Sequence, residues 1–167
     1  EDLALYSRHY AARGIPARLP VGRDLMTVLG FWLAEGSVSP RQGIRFAIGP
    51  GNEGFAEEVS GALGAVFGIP PTRYEAKARV AELRLVHRVA SLAWEQLFGF
   101  GGMKAESKRI PDLVFNVPRD LRLAFLRGYL RGDGTVSGGR IAFTTASRDL
   151  ASGLVYLLSS LGVVASL

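Results

Sequence analysis

Apolar and polar positions recur along the chain with two periods, and these periods predict its elements. Apolar residues spaced three and four apart indicate amphipathic helices, whereas strict alternation indicates strands. The first period predicts helices at Asp24–Ala34, Phe55–Phe67, Arg88–Phe98, Arg119–Gly132 and Ser147–Leu161. The second period predicts strands at Ile44–Ile48, Arg73–Arg79, Val80–Val86 and Ile141–Thr145. Asp24 is the expected N-cap of the first helix, and Gly36 is expected to end it.

Three of these elements occur twice in the same order. The segment Val28–Ser39 aligns with Leu126–Ser137 at an offset of 98 residues, and the strands that follow align at an offset of 97. Each copy then continues into a predicted helix. The order predicts an α+β fold of two α-β-α-β-β-α repeats related by a pseudo-two-fold axis. The second repeat is expected to be incomplete, because its elements stop after one strand and one helix.

Glycine and proline mark the boundary between the two copies. The run Gly99–Gly102 predicts a flexible joint, and Pro111 and Pro118 are expected to interrupt regular structure in the segment that follows. We therefore expect an N-terminal extension at 1–24, a first repeat at 25–103, a linker at 104–118 and a partial second repeat at 119–167.

Composition excludes several classes of function. Cysteine is absent and histidine occurs twice, which excludes a disulfide framework, a thiolate metal site and a histidine metal cluster. No apolar run approaches the ~20 residues of a membrane span. No targeting signal is visible, so we expect a cytoplasmic protein of an archaeon or bacterium without a membrane partner. The net charge of +5, concentrated between Lys104 and Arg148, favours a polyanionic partner.

Both repeat helices end in a small residue, an acid and a glycine, namely Ala34-Glu35-Gly36 and Gly132-Asp133-Gly134. Small residues four apart share one helix face and allow two backbones to approach closely. Paired about a two-fold axis, the helices would bring Glu35 and Asp133 side by side. Two carboxylates at the negative ends of helix dipoles favour a divalent cation such as Mg²⁺. One such end alone would be an ordinary helix terminus, but two at equivalent positions favour a site.

The two segments resemble the LAGLIDADG motifs of the dodecapeptide homing endonucleases, most closely the intein-encoded or archaeal intron-encoded monomeric kind. Gly30 and Gly128 match the glycine of the motif, and Glu35 and Asp133 match its penultimate acid. Between the copies, Lys108-Arg109-Ile110-Pro111 is similar to the Lys-x-hydrophobic-Pro block that precedes the second motif in intein endonucleases.

The resemblance implies a metal-dependent endonuclease that cuts double-stranded DNA at a long asymmetric site, with the strands of both repeats forming a saddle over the major groove. It implies that Glu35 and Asp133 hold Mg²⁺, each acid serving one DNA strand, with Mn²⁺ as a substitute. It assigns Lys108 to the active site as a third catalytic group. The further expected metal ligands are the flanking backbone groups of Ala34, Gly36, Gly132 and Gly134. We expect a monomer, or a dimer or swapped pairing if the short second repeat needs completion.

Alternation within the strands predicts which side chains face DNA. Ile44, Phe46 and Ile48 are expected to pack on the helices, and Ile141 and Phe143 are expected to do the same in the second copy. The polar residues on the opposite strand faces are the expected DNA contacts: Arg45, Arg73, Lys77, Arg79, Arg84, Arg140 and Thr144.

Two other functions fit the same motifs. One is a DNA-binding module with a LAGLIDADG fold that lacks cleavage, either regulator-like or degenerate. The other is an RNA maturase. Metal-dependent DNA cleavage and binding to group I intron RNA distinguish them. Glu1 and Leu167 are not the terminal residues that intein splicing needs, so self-splicing is not expected.

Overall fold

The computed structural model of this 167-residue chain describes residues 3–8, 10–75 and 80–167. Its helices are α1 (Arg23–Glu35), α2 (Glu53–Phe67), α3 (Arg88–Leu97), α4 (Asp112–Phe115), α5 (Arg119–Asp133) and α6 (Arg148–Ser160). Its strands are β1 (Ala4–Ser7), β2 (Tyr10–Pro16), β3 (Gly36–Ser39), β4 (Gly43–Ile48), β5 (Thr72–Tyr74), β6 (Ala81–Leu85), β7 (Gly134–Ser137) and β8 (Arg140–Phe143). Within the described ranges, no helix is long and apolar enough to cross a membrane.

Helix α1 forms the centre of the hydrophobic core. Every residue from Leu25 to Leu33 is buried, because α1 packs against α2, α5 and β4 on different sides. A helix that is apolar on all sides is stable only when it is enclosed in this way. The position of α1 therefore fixes where its last residue, Glu35, lies.

The main sheet is antiparallel, with strands in the order β3-β4-β6-β5. In the register of β4 and β6, Ile44 lies opposite Leu85 and Phe46 lies opposite Leu83, and all four side chains are buried. The predicted packing of Ile44, Phe46 and Ile48 against the helices is confirmed. The alternate positions of the two strands therefore face away from the core.

Helices α1 and α5 approach so closely that only glycine fits at two crossing points. A Cβ built on Gly30 would lie 2.0 Å from the carbonyl oxygen of Phe125, and one on Gly128 would lie 2.2 Å from that of Thr27. Real Cβ atoms do not approach backbone oxygens at such distances, so the two backbones are in direct contact. The predicted close pairing of the two helices is confirmed. We call this contact the glycine seam, defined by Gly30, Gly128 and the carbonyls that they face.

The structure corrects the order of elements in each copy. Two strands, not one, follow each motif helix: β3 and β4 follow α1, and β7 and β8 follow α5. The predicted α-β-α-β-β-α order missed β3 and β7. Both are four-residue strands that begin directly at the glycine after the helix, and within the described part of the chain each pairs with one neighbouring strand. Such a short edge strand has no need of alternating apolar residues.

Two predictions about single residues are wrong. Helix α1 begins at Arg23 after Gly22, so Asp24 is not the N-cap but lies in the first turn, where its carboxylate faces the positive end of the helix dipole. Ile141 does not pack inward, since 60% of its surface is exposed. In the first half, β6 covers the equivalent Ile44, whereas among the described residues β7 is the only strand that pairs with β8.

The open side of β8 leaves an apolar groove beside α5 and α6. Leu123, Leu126, Ile141, Leu154 and Leu158 line part of it. Leu123 is 47% exposed, whereas Leu25 at the equivalent position of α1 is 1% exposed. The second half is therefore less completely covered than the first.

The glycine seam predicts a specific pattern of stability changes. Gly128→Ala should lower the free energy of unfolding by about 2 kcal/mol, because the added methyl group forces two backbones apart. Gly61→Ala is the matched control within α2, where an added Cβ meets nothing within 4 Å. This second change should stabilise the protein by up to about 1 kcal/mol through helix propensity. Chemical denaturation measures both, and equal effects would contradict the seam.

Candidate functional site

The two acids of the repeated motif lie at the ends of the paired helices. Glu35 is the last residue of α1 and Asp133 is the last residue of α5, and a strand begins immediately after each. A Cβ on Gly132 would lie 2.3 Å from the Cβ of Ala34 and 2.9 Å from the Cγ of Glu35. The helix ends therefore touch, and the half-buried carboxylates share one small region at the end of the seam.

This region disfavours the charge of both acids. Burial raises the pKa of Glu35, and the nearby Asp133 carboxylate raises it further, while Lys108 lowers it. Burial also raises the pKa of Asp133, which Lys108 and the hydroxyl of Tyr129 lower. Two partly desolvated carboxylates that repel each other form a region that a cation would stabilise.

Lys108 reaches the same region from the segment between the two halves. Its Nζ donates hydrogen bonds to the carbonyl oxygens of Leu33 at 2.8 Å, Gly36 at 3.2 Å and Ala34 at 3.4 Å. The carbonyls of Leu33 and Ala34 belong to the last turn of α1, where helix carbonyls lack partners within the helix, and Gly36 follows the helix directly. Burial lowers the pKa of Lys108, whereas Asp133 and Glu35 raise it. The ammonium group thus caps α1 beside the two acids.

The backbone of Lys108 is held as firmly as its side chain. Its carbonyl oxygen accepts a hydrogen bond of 2.6 Å from the hydroxyl of Ser147, which also caps the first turn of α6 by accepting from the N–H of Leu150. One residue therefore connects the end of α1 to the start of α6. The sequence did not indicate the contact of Ser147, because a serine before a helix is sufficiently explained by capping.

The donor groups at the helix ends suit a hard cation that needs few ligands from the protein. Among the described residues, no group of three or more His, Cys, Asp or Glu side chains lies together. Two carboxylates with backbone oxygens are what Mg²⁺ uses when waters and substrate phosphates supply its other ligands. Of the backbone groups expected to help, Ala34 and Gly36 already accept from Lys108, and Gly132 and Gly134 flank Asp133 at the end of α5.

The main sheet presents arginines on the face away from the core. Arg45 on β4 lies directly opposite Arg84 on β6. The guanidinium of Arg84 stacks on the ring of Tyr74 at 4.3 Å and pairs with Glu82 at 2.7 Å. Two cations directly opposite each other repel, and the ion pair of Arg84 with Glu82 offsets only part of that repulsion. A bound polyanion would remove that cost, so the pair marks a candidate surface for nucleic acid.

The other expected DNA contacts differ in their surroundings. Arg73 forms ion pairs with Glu53 at 2.8 Å and with Glu75, so its charge is already neutralised in part. Arg140 and Thr144 are exposed, and Arg140 lines a concave surface on the β7–β8 hairpin. The remaining two residues, Lys77 and Arg79, lie outside the described part of the chain.

Tyr129 is a residue of the site that sequence reasoning assigned only to the core. Its ring is buried, and its hydroxyl donates a hydrogen bond to the carbonyl oxygen of Thr144 at 3.3 Å. Burial raises the pKa of this hydroxyl, and the nearby charge of Asp133 raises it further. The one available signal was that a phenol stands at the position that Phe31 occupies in the first copy.

Comparison with known proteins gives one family match. Residues 120–167 match the family model of the LAGLIDADG-like domain. The matched segment contains α5 from its second residue, the β7–β8 hairpin and α6. It therefore includes Asp133 and Tyr129.

Curated relatives match nearly the whole chain. It is 31% identical over 166 residues to the ATP-dependent DNA helicase Hel308 of Thermococcus kodakarensis, covering 95% of this chain and 15% of the relative. It is 33% identical over 154 residues to a DNA polymerase of the same organism, covering 88% of this chain and 9% of the relative. It is 32% identical over 145 residues to a subunit of the A-type ATP synthase of Methanopyrus kandleri, covering 85% of this chain and 13% of the relative. The chain thus spans less than a sixth of each of these proteins.

Proposed function

We propose that this chain is a site-specific homing endonuclease of the LAGLIDADG type that hydrolyses phosphodiester bonds of double-stranded DNA with Mg²⁺. The proposal rests on one observation: Glu35 and Asp133 lie together at the end of the two helices that the glycine seam joins. Lys108 offsets only part of the cost of two desolvated acids at this position, and a bound metal cation would offset more of it. A purely structural role would not explain why an acid stands at the end of both helices.

The contacts of the glycine seam also support a two-fold relation between the repeats. Gly30 faces the carbonyl of Phe125, and Gly128 faces the carbonyl of Thr27. The offset of 98 residues that aligns Gly30 with Gly128 also aligns Thr27 with Phe125. Each helix thus presents the same two positions to the other, as a two-fold axis between repeats requires.

The relatives favour a mobile element as the origin of the chain. A helicase, a DNA polymerase and an ATP synthase subunit each match almost all of this chain within a small fraction of their own length. Proteins with such different names share a segment of this kind when the same element has inserted into each. This supports the intein-encoded or intron-encoded kind of endonuclease.

In this proposal the protein supplies charge and position at the scissile phosphates. Mg²⁺, when bound, polarises a phosphate and lowers the pKa of an attacking water. Glu35 and Asp133 hold the positive charge at the helix ends, each next to one DNA strand. All three N–H donors of Lys108 have carbonyl partners. Lys108 therefore stabilises the developing negative charge as a fixed cation rather than by donating a new hydrogen bond.

The DNA would lie across the sheet face that carries Arg45 and Arg84. Arginine suits bidentate contacts to phosphate and to guanine in the major groove. Stacking on Tyr74 and pairing with Glu82 hold Arg84 in place before DNA arrives. On the second half, the exposed Arg140 and Thr144 extend the same kind of surface.

A DNA-binding domain without cleavage is the second candidate. The observation that favours it is the open edge of β8, beside which Ile141 remains exposed. The two described strands of the second sheet would hold DNA less firmly against Asp133 than the four-stranded sheet would hold it against Glu35. Cleavage assays separate the two candidates.

The proposed activity predicts cleavage of genomic DNA that lacks the coding insert. With Mg²⁺ the protein should produce one discrete double-strand break, and EDTA should abolish it. Glu35→Gln and Asp133→Asn should each lower the rate of double-strand cleavage by at least about 1,000-fold, because each removes a charge that holds the metal. Gel electrophoresis of the digested DNA measures this. Retarded DNA without a cut in Mg²⁺ or Mn²⁺ would favour the binding domain instead.

The proposed DNA surface predicts a change in salt dependence. Arg45→Ala and Arg84→Ala should each reduce the slope of log K against log salt concentration by about 1 for every phosphate that the variant no longer neutralises. Arg88→Ala is the charge-matched control, since Arg88 begins α3 and lies outside the sheet. Its slope should equal that of the parent. Binding titrations at several salt concentrations test this, and equal slopes for all variants would remove both residues from the surface.

A further inference from the structure

The hairpin formed by β1 and β2 belongs to a segment whose positive charge the proposed site does not use. Residues 3–23 contain four arginines and no acidic residue, and all four arginines are exposed. Among the described residues, no acidic side chain forms an ion pair with any of these arginines. Exposed arginines without nearby acids create a positive potential that attracts a polyanion.

His87 connects this hairpin to the end of the main sheet. The N–H of Ala90 donates to Nδ1 of His87 at 3.2 Å, so Nε2 carries the ring hydrogen and donates to the carbonyl oxygen of Arg13 at 2.9 Å. His87 follows Arg84 of β6 by three residues, and an extended chain rises about 3.3 Å per residue. The backbone of Arg13 therefore lies beside the point that the chain reaches about 10 Å beyond Arg84.

The hairpin is also fixed to the body of the protein at its base. Ile15 of β2 is buried in the core. The N–H of Ala17 donates to the carbonyl oxygen of Leu3 at 2.8 Å, which closes the base of the hairpin. A ribbon that is already held in place loses little conformational entropy when its exposed side chains bind a partner.

One exposed aromatic side chain accompanies the hairpin arginines. A Cβ built on Gly14 would lie 2.8 Å from Cζ of Tyr6, so the ring lies directly against the backbone of β2, next to Arg13. Arg8 follows in the turn after β1. Tyr6 is nevertheless 64% exposed. Guanidinium groups and phenol hydroxyls are among the donors that proteins use to contact DNA phosphates.

The hairpin has no counterpart before the second motif helix. The offset of 98 residues that aligns the two repeats places residues 3–23 against residues 101–121. That second stretch is fully described, and it contains helical turns, α4 and the start of α5 but no strand. The hairpin therefore occurs on one half of the protein alone.

We infer that the hairpin binds the phosphate backbone of duplex DNA on one flank of the segment that the main sheet covers. Arg8, Arg13 and the hydroxyl of Tyr6 make the contact. The inference rests on the proposed function for the identity of the partner. Phosphate contacts fix the orientation of a protein on a duplex. Because the hairpin is present on one half only, its contact determines which way the protein lies on an asymmetric site.

The charge of the hairpin is tested by binding titrations at several salt concentrations. Arg8→Ala and Arg13→Ala should each reduce the slope of log K against log salt concentration by about 1, because each variant neutralises one phosphate fewer. Arg23→Ala is the matched control. Arg23 is an exposed arginine of the same segment, but it begins α1 at the opposite end of that helix from Glu35. Its slope should equal that of the parent.

The hydroxyl is tested separately from the charge. Tyr6→Phe should weaken binding to the duplex about three- to tenfold, because it removes one hydrogen bond and keeps the ring against Gly14. Tyr156→Phe is the matched control, since Tyr156 on α6 is 65% exposed and should leave binding unchanged. Thermal unfolding of all variants identifies any general loss of stability.

Hydroxyl-radical footprinting locates the contact on the DNA. The duplex carries the site mapped by the genomic digestion or, without cleavage, a site selected from random duplexes by binding. Protection by the parent should extend further on one side of the segment that the main sheet covers. The double variant Arg8→Ala/Arg13→Ala should shorten the protected region on that side and leave its other edge unchanged.

The outcomes separate this inference from the proposed function. Reduced slopes with a footprint shortened on one side support the hairpin contact, and without a cut in Mg²⁺ they overturn only the hydrolysis. Parental slopes and footprints in the hairpin variants, with a reduced slope in Arg45→Ala, overturn the hairpin contact and leave the endonuclease in place. Hairpin variants that weaken binding to group I intron RNA but not to duplex DNA also overturn it. A parent that binds no duplex DNA overturns both.

Discussion

The contact on which the rest of the structure depends is the approach of two helix backbones at Gly30 and Gly128. With no side chains between them, the helices meet at a distance set by backbone atoms alone. This contact places the ends of α1 and α5 together, and with them Glu35 and Asp133. It also sets where β3 and β7 begin, since each strand starts at the residue after its helix. The sheets and the acids are thus both positioned by the seam.

The acids and Lys108 form a region that is costly without a ligand. Burial disfavours the charge of all three groups and the two acids repel each other, while the attraction of Lys108 to the acids only partly offsets these costs. Stable proteins usually avoid such an arrangement, and it persists where binding or catalysis needs it. The hydrogen bonds of Lys108 to α1 and of Ser147 to Lys108 show how the surrounding structure holds this region in one geometry.

How much the sequence predicted depended on the kind of signal. Long helices with a strong apolar period were placed to within two residues at α1, α5 and α6, and the paired glycines predicted the seam. The short edge strands β3 and β7 have no such period and were missed. Alternation of apolar residues correctly predicted that Ile44 is buried but wrongly predicted the same for Ile141. The pattern indicates which strand face is apolar, but it does not indicate whether another element covers that face. The hydroxyl of Tyr129 could not be placed, since its ring fits a core position equally well.

The strict alternation of β4 has a consequence for how such a protein can change. Ile44, Phe46 and Ile48 are committed to the core, whereas Arg45 and Ala47 between them face the other way. Substitutions at the second set can alter ligand preference without disturbing the seam that spaces the acids. Under the proposed function, recognition and chemistry are therefore separable under selection, because the outward positions of β4 can change while the spacing of Glu35 and Asp133 stays constant. These outward-facing positions of β4 are the natural starting point for a library in directed evolution.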